Sequence, residues 1–127
     1  MRLKVLIVQS KHELGLVWQS HLARQGCEVV LAHNEDEAIR DLRVRAVDIV
    51  ILDLVLEGGG AFSVADFAAY RRPEAKIIFV TNTRFFSDGS IFQHIANAAA
   101  FLPTETSLED LSAVVEYHSP ARGAAVG

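Results

Sequence analysis

Asp53 is the residue of this sequence best placed to do chemistry. It directly follows the apolar run Ile49-Val50-Ile51-Leu52. A carboxylate at the end of such a run is poorly solvated unless it lies at a rim. It either caps a loop or the next helix, or it acts as a nucleophile or a metal ligand. Three other apolar runs end in residues that can hydrogen-bond. Residues 5–8 lead into Gln9 and Ser10, residues 76–80 into Thr81, and residues 100–102 into Pro103 and Thr104. Together these positions offer one carboxylate, one amide and several hydroxyls. No Ser-His or Cys-His arrangement can be placed, and no second carboxylate falls at the same rim, so autonomous enzyme chemistry is not expected. Lys11 and Arg84 are the cations nearest these positions in sequence. Either could pair with Asp53, although loop cations more often point to solvent.

Five short apolar runs rich in β-branched residues alternate with helix-like segments, and these must position the candidates. Residues 5–8 form the first strand. Residues 13–25 read as a helix with Leu14, Val17, Trp18 and Leu22 on one face, and Gly26 ends it. Residues 28–32 form the second strand. Asn34, with Glu37 three positions later, is a variant capping box opening a helix that carries Ala38, Ile39 and Leu42. Residues 48–53 form the third strand, whose uninterrupted apolar interior suits a parallel strand covered on both faces. The Gly58-Gly59-Gly60 triplet breaks the chain before a weaker helix over 61–70, with Phe62, Ala65 or Asp66, and Ala69 along its length. Residues 76–81 form the fourth strand. Ser90 can cap a helix with Ile91, Phe92 and Ile95, residues 100–102 form a short fifth strand, and Ser107 caps a last helix with Leu108, Leu111 and Val115. The alternation predicts an α/β fold: a three-layer, doubly wound, five-stranded parallel sheet with helices on both faces. Ligands of such sheets sit at the C-terminal strand ends, where Asp53 and its companions fall. Residues 1–118 make the domain, and residues 119–127 a flexible tail.

Composition narrows the function. Of 127 residues, 50% are apolar and 22% charged, enough to bury a core without disulfides or a structural metal. Twelve basic against sixteen acidic residues give a net charge of −4, and the basic residues are scattered. That composition excludes disorder and argues against a nucleic-acid binder. Cys27 stands alone, and His12, His21, His33, His94 and His118 lack the spacing of metal ligands. No stretch approaches the roughly 20 apolar residues of a membrane span. The short apolar start lacks a cleavage site, so a cytoplasmic protein without membrane association is expected.

The order and spacing of these segments resemble a response-regulator receiver domain of two-component signalling over about residues 3–117. Leu6-Ile7-Val8, Gly26-Cys27-Glu28-Val29-Val30, Glu37-Ala38-Ile39 and Asp48-Ile49-Val50-Ile51-Leu52-Asp53-Leu54 carry the first half of the match. Ile77-Ile78-Phe79-Val80-Thr81, Phe101-Leu102 and Ser107-Leu108-Glu109-Asp110-Leu111 carry the second. The resemblance implies the flavodoxin-like topology with strand order 2-1-3-4-5. It makes Asp53 the phosphoacceptor position, Thr81 the hydroxyl that contacts the phosphoryl group, and Phe101 the switch aromatic. It also implies protein partners, either a histidine kinase or a downstream signalling protein. A homodimer could form through the face made by the helix after Ser90, the fifth strand and the last helix. Phe85, Phe86, Ile91 and Phe92 are candidates for that partner-binding face.

Two features of the family are missing. The acidic pair that helps hold Mg²⁺ is replaced by Gln9 and Ser10, and the lysine after the fifth strand by Thr104. Glu57 stands where the family commonly has proline. Phosphoryl transfer depends on positioning and on charge neutralisation by the metal, and Mg²⁺ demands oxygen ligands in near-octahedral array. Losing both supports is expected to leave Asp53 slow or inert as an acceptor, with no metal and no other cofactor at work. The leading expectation is therefore an atypical receiver, a protein-interaction module largely independent of phosphorylation. The alternatives are a working phosphoacceptor at Asp53 that uses Mg²⁺, and a small-molecule sensor using the same cleft. A partial echo of a cobalamin-binding motif at Ser10-Lys11-His12-Glu13-Leu14-Gly15 lacks that motif's Asp.

Overall fold

The computed structural model describes residues 2–82 and 95–120. Five strands and four helices are described: β1 (Lys4–Val8), α1 (His12–Arg24), β2 (Glu28–Ala32), α2 (Glu35–Val44), β3 (Ile49–Asp53), α3 (Ala61–Arg71), β4 (Lys76–Thr81), β5 (Ala98–Pro103) and α4 (Leu108–Tyr117). The strands form one parallel sheet, as the alternation predicts, in the order β2-β1-β3-β4-β5 that the receiver resemblance implies. Side chains of a strand alternate between faces, and that alternation builds two cores. Leu6, Val8, Val50, Leu52, Ile77 and Phe79 pack with Ala38 and Leu42 of α2 and Val64, Ala65 and Ala68 of α3. Val5, Ile7, Ile49, Ile51, Ile78 and Val80 pack with Trp18 and Leu22 of α1 and Leu111 and Val115 of α4. Burial on both faces is why β1, β3 and β4 read as unbroken apolar runs.

Helix ends follow the local chemistry. The Asn34 side chain accepts from Glu37 N at 2.9 Å, capping α2 as expected. Glu37 reaches back one residue further than a standard capping box, its Oε1 accepting from His33 N at 2.9 Å. Ser107 likewise caps α4, accepting from Asp110 N at 3.1 Å. The glycine triplet has positive φ throughout (84°, 81° and 93°), and a Cβ at Gly60 would run into the Glu35 side chain. No other residue type follows that path into α3 without strain. At the far end of α3, Arg71 and Arg72 donate to the carbonyls of Leu42 and Arg43, capping α2 from outside.

Several expectations need correction. Val17 is exposed, because α1 lies so close over β2 that its buried stripe runs Gly15, Trp18, Leu22; a Cβ on Gly15 would sit 2.9 Å from Leu31 Cδ1. In α3 the buried residues are Ala61, Val64, Ala65 and Ala68, while Phe62 and Asp66 face outward. Small side chains let that helix sit close to the sheet, so the bulkier Phe62 is not the one buried. The third strand begins at Ile49, since Asp48 turns its carboxylate onto Lys4 N at 2.9 Å. The fifth strand is longer than expected and carries a register shift opposite Ile77 and Ile78.

Phe79 is fully buried between sheet and helices, so Phe79→Ala is expected to cost about 3–5 kcal/mol in urea denaturation. The Glu37 carboxyl is held below its ordinary value of 4.5, chiefly by the His33 backbone N–H and then by the His33 side chain. A depressed folded pKa supplies stability that is present above 4.5 and lost as pH falls through the folded value. Between neutral pH and acid, Glu37→Ala is therefore expected to lose less stability than the parent chain, read by denaturation at each pH.

Candidate functional site

The register places the candidates together. β1 and β3 are neighbours with Val8 opposite Leu52, so the next residues, Gln9 and Asp53, emerge side by side. Gln9 follows Ile7, and Asp53 follows Ile51, by two positions, which directs both toward the α1 face. Both are buried, Gln9 at 0% and Asp53 at 4% exposure. Gln9 Nε2 donates to Asp53 Oδ2 at 2.7 Å. The other carboxylate oxygen, Oδ1, accepts from Val55 N at 2.8 Å. Gln9 Oε1 accepts from Lys11 N at 2.9 Å.

That last contact fixes the orientation of the amide. A backbone N–H only donates and an ionised carboxylate only accepts. Gln9 must therefore turn its oxygen to Lys11 and its NH₂ to Asp53. The carboxylate is satisfied by a neutral partner at a distance typical of charge-assisted bonds. No ion pair joins Lys11 to Asp53; among the described residues Arg45 pairs with Asp41, and His33 contacts Glu37 through Nδ1 at 3.1 Å. Arg84, the other cation considered, lies outside the described residues.

Ser10 occupies the second position of the missing acidic pair and ties loops together. Its Oγ donates to His33 O at 2.9 Å and accepts from Glu57 N at 2.8 Å. The segments after β1, β2 and β3 are thus knitted around one hydroxyl. Thr81 is buried at the end of β4, and its carbonyl accepts from Thr104 N at 3.2 Å. Thr104 therefore stands at the same rim as Asp53, where it brings a hydroxyl and no charge. Phe101 is half-buried and packs against the α2–α3 core. Phe85, Phe86, Ile91 and Phe92 lie outside the described residues.

The receiver family's metal ion does not suit this donor set. Among the described residues Asp53 is the one carboxylate in the constellation, and the group facing its Oδ2 is an N–H donor. A hard cation needs oxygens there. Among the described residues no three His, Cys, Asp or Glu side chains group to hold a metal.

Sequence reasoning overlooked one neighbouring cluster. His12 Nδ1 and His33 Nε2 stand 3.1 Å apart, and His33 Nδ1 stands 3.1 Å from Glu37 Oε1. The His33-Asn34 pair with Glu37 hinted at half of it, but nothing in the spacing announced His12.

No protein-family model and no curated protein matches the sequence. Solved structures do. The chain is similar to a CheY-like response regulator receiver domain protein from Methanospirillum hungatei at 21% identity and a TM-score of 0.84, over 92% of this chain and 93% of that one. It is similar to the non-phosphorylated HemR receiver domain from Leptospira biflexa at 24% identity and a TM-score of 0.81, over 92% and 94%. A response regulator from Thermotoga maritima, solved with Mg²⁺ and BeF, matches at 22% identity and a TM-score of 0.80, over 93% and 99%. Likeness at this level of identity speaks to architecture, and in architecture the chain has the flavodoxin-like receiver fold of response regulators.

Proposed function

We propose that this chain is an atypical receiver module of two-component signalling that acts through protein contacts without an aspartyl phosphate. The observation that carries the reading is the 2.7 Å bond from Gln9 Nε2 to Asp53 Oδ2. In a phosphorylated receiver that side of the carboxylate faces the cation that neutralises the incoming phosphoryl group. Here a side-chain N–H fills it, and Oδ1 is taken by Val55 N. A carboxylate whose two oxygens each accept a hydrogen bond is a weaker nucleophile, and with Thr104 in place of lysine no cation pairs with Asp53 among the described residues. The knot at Ser10 holds the surrounding loops in one arrangement, which suits a module with a single working shape. Asp53, Gln9, Ser10, Thr81, Phe101 and Thr104 are in this reading structural remnants of a phosphorylation site. The partner is a histidine kinase or a downstream signalling protein in the cytoplasm. The contact face includes β5 and α4, through which a homodimer would also form. No helix among the described residues is long and apolar enough to cross a membrane.

Incubating the chain with acetyl phosphate, or with beryllofluoride and Mg²⁺, is expected to leave its intact mass and amide NMR spectrum unchanged. Stoichiometric modification of Asp53 would instead show a working phosphoacceptor. A second experiment tests Gln9 itself. Gln9→Glu sets two carboxylates against each other at hydrogen-bond distance, which demands a cation or a proton. The variant is expected to melt below the parent in EDTA and to be rescued by millimolar Mg²⁺ or Ca²⁺. The parent melting temperature is expected to ignore both ions; a parent that responds equally has a metal site that the amide does not block.

A further inference from the structure

We infer that His12 and His33 form an open two-histidine site for a borderline divalent transition metal, of the Zn²⁺, Ni²⁺ or Cu²⁺ class, at the outer rim of the sheet's C-terminal edge. His12 begins α1 and His33 follows β2, twenty-one residues apart in sequence, yet His12 Nδ1 lies 3.1 Å from His33 Nε2 and the rings stack with centroids 5.3 Å apart. Two imidazole nitrogens bound at about 2.0–2.1 Å to one metal, at angles between octahedral and tetrahedral, stand about 2.9–3.4 Å from each other. The observed separation falls inside that window, and metal entry requires the two rings to turn so that both lone pairs meet at one point.

Glu37 supplies the second observation. Its Oε1 lies 3.1 Å from His33 Nδ1. A carboxylate only accepts, so the proton of neutral His33 sits on Nδ1 and the Nε2 lone pair is turned toward His12. Carboxylate, histidine and metal in that order is the arrangement by which outer residues orient ligands and raise their basicity. Without metal, His12 carries its proton on Nδ1 and donates it to His33 Nε2. On metal binding that proton moves to His12 Nε2, so both facing nitrogens offer lone pairs and the net proton count is unchanged. Imidazole pairs select Zn²⁺, Ni²⁺ and Cu²⁺ over Mg²⁺ and Ca²⁺. With two protein ligands the other positions are filled by water, because no third His, Cys, Asp or Glu joins the group among the described residues. His12 is exposed, which leaves room for those waters.

The consequence is mechanical. Metal would staple the start of α1 to the loop whose His33 carbonyl already accepts from Ser10 Oγ. It would tighten the rim around Asp53 without touching Asp53. The site stands independently of whether Asp53 is phosphorylated.

Titration of the untagged chain with zinc sulfate, followed by calorimetry and by the histidine ring resonances, tests the site. One Zn²⁺ per chain is expected, with the His12 and His33 resonances moving together. His12→Ala, an exposed substitution whose fold is checked by circular dichroism, is expected to weaken binding at least tenfold. Glu37→Gln, which keeps both ligands, is expected to weaken it about tenfold. His21→Ala and Asp53→Asn are expected to bind as the parent does. Absence of binding at millimolar Zn²⁺, binding undiminished in His12→Ala, or loss of binding in Asp53→Asn each overturns the proposal.

Discussion

The rim of this molecule is organised around a single buried hydrogen bond between an amide and a carboxylate. Asp53 is placed at the end of a strand covered on both faces, where an unpartnered charge would cost several kcal/mol. The bonds from Gln9 and Val55 N offset part of that cost without importing a second charge. The Gln9 bond is possible because β1 and β3 are neighbours in register and end at the same level. The direction of the amide follows from one backbone N–H, that of Lys11. The site is therefore set by sheet geometry and local hydrogen bonding, and its polar groups need no ion to satisfy them.

Around that bond the loops are fastened by Ser10, which serves the segments after β2 and β3 at once. The glycine triplet supplies the left-handed path by which the chain leaves this region and enters α3. Arg71 and Arg72 close the opposite end of the same layer onto α2, and Arg43 lies over the Phe67 ring with its guanidinium carbon 5.7 Å from the ring centre. The layer formed by α2 and α3 is thus pinned at both ends.

Much of this was legible in the sequence. Unbroken apolar runs announce strands buried on both faces, their alternation with helical segments announces a parallel sheet, and the receiver resemblance supplies the strand order. Asn34 and Ser107 announced their helices through capping chemistry. The failures have a common origin. Helical spacing puts Val17 on the apolar face of α1, and along α3 it offers Phe62, Ala65 or Asp66, and Ala69 without fixing the buried face. The helices instead approach the sheet through Gly15, Ala61, Ala65 and Ala68, whose smallness sets the distance. At the site, the positions of Gln9, Ser10, Asp53 and Thr104 follow from strand ends, but the turn of the Gln9 amide toward Asp53 depends on the Lys11 N–H, which strand order does not reveal. The meeting of His12 with His33 required the tertiary fold itself, since no local period links residues so far apart.

The far edge of the sheet also limits how copies of this chain can meet. β5 carries a register shift along its pairing with β4 and ends in Pro103, which has no N–H to offer. An incoming strand would find an irregular ladder with a missing donor, so that margin resists the edge-to-edge extension that seeds aggregation.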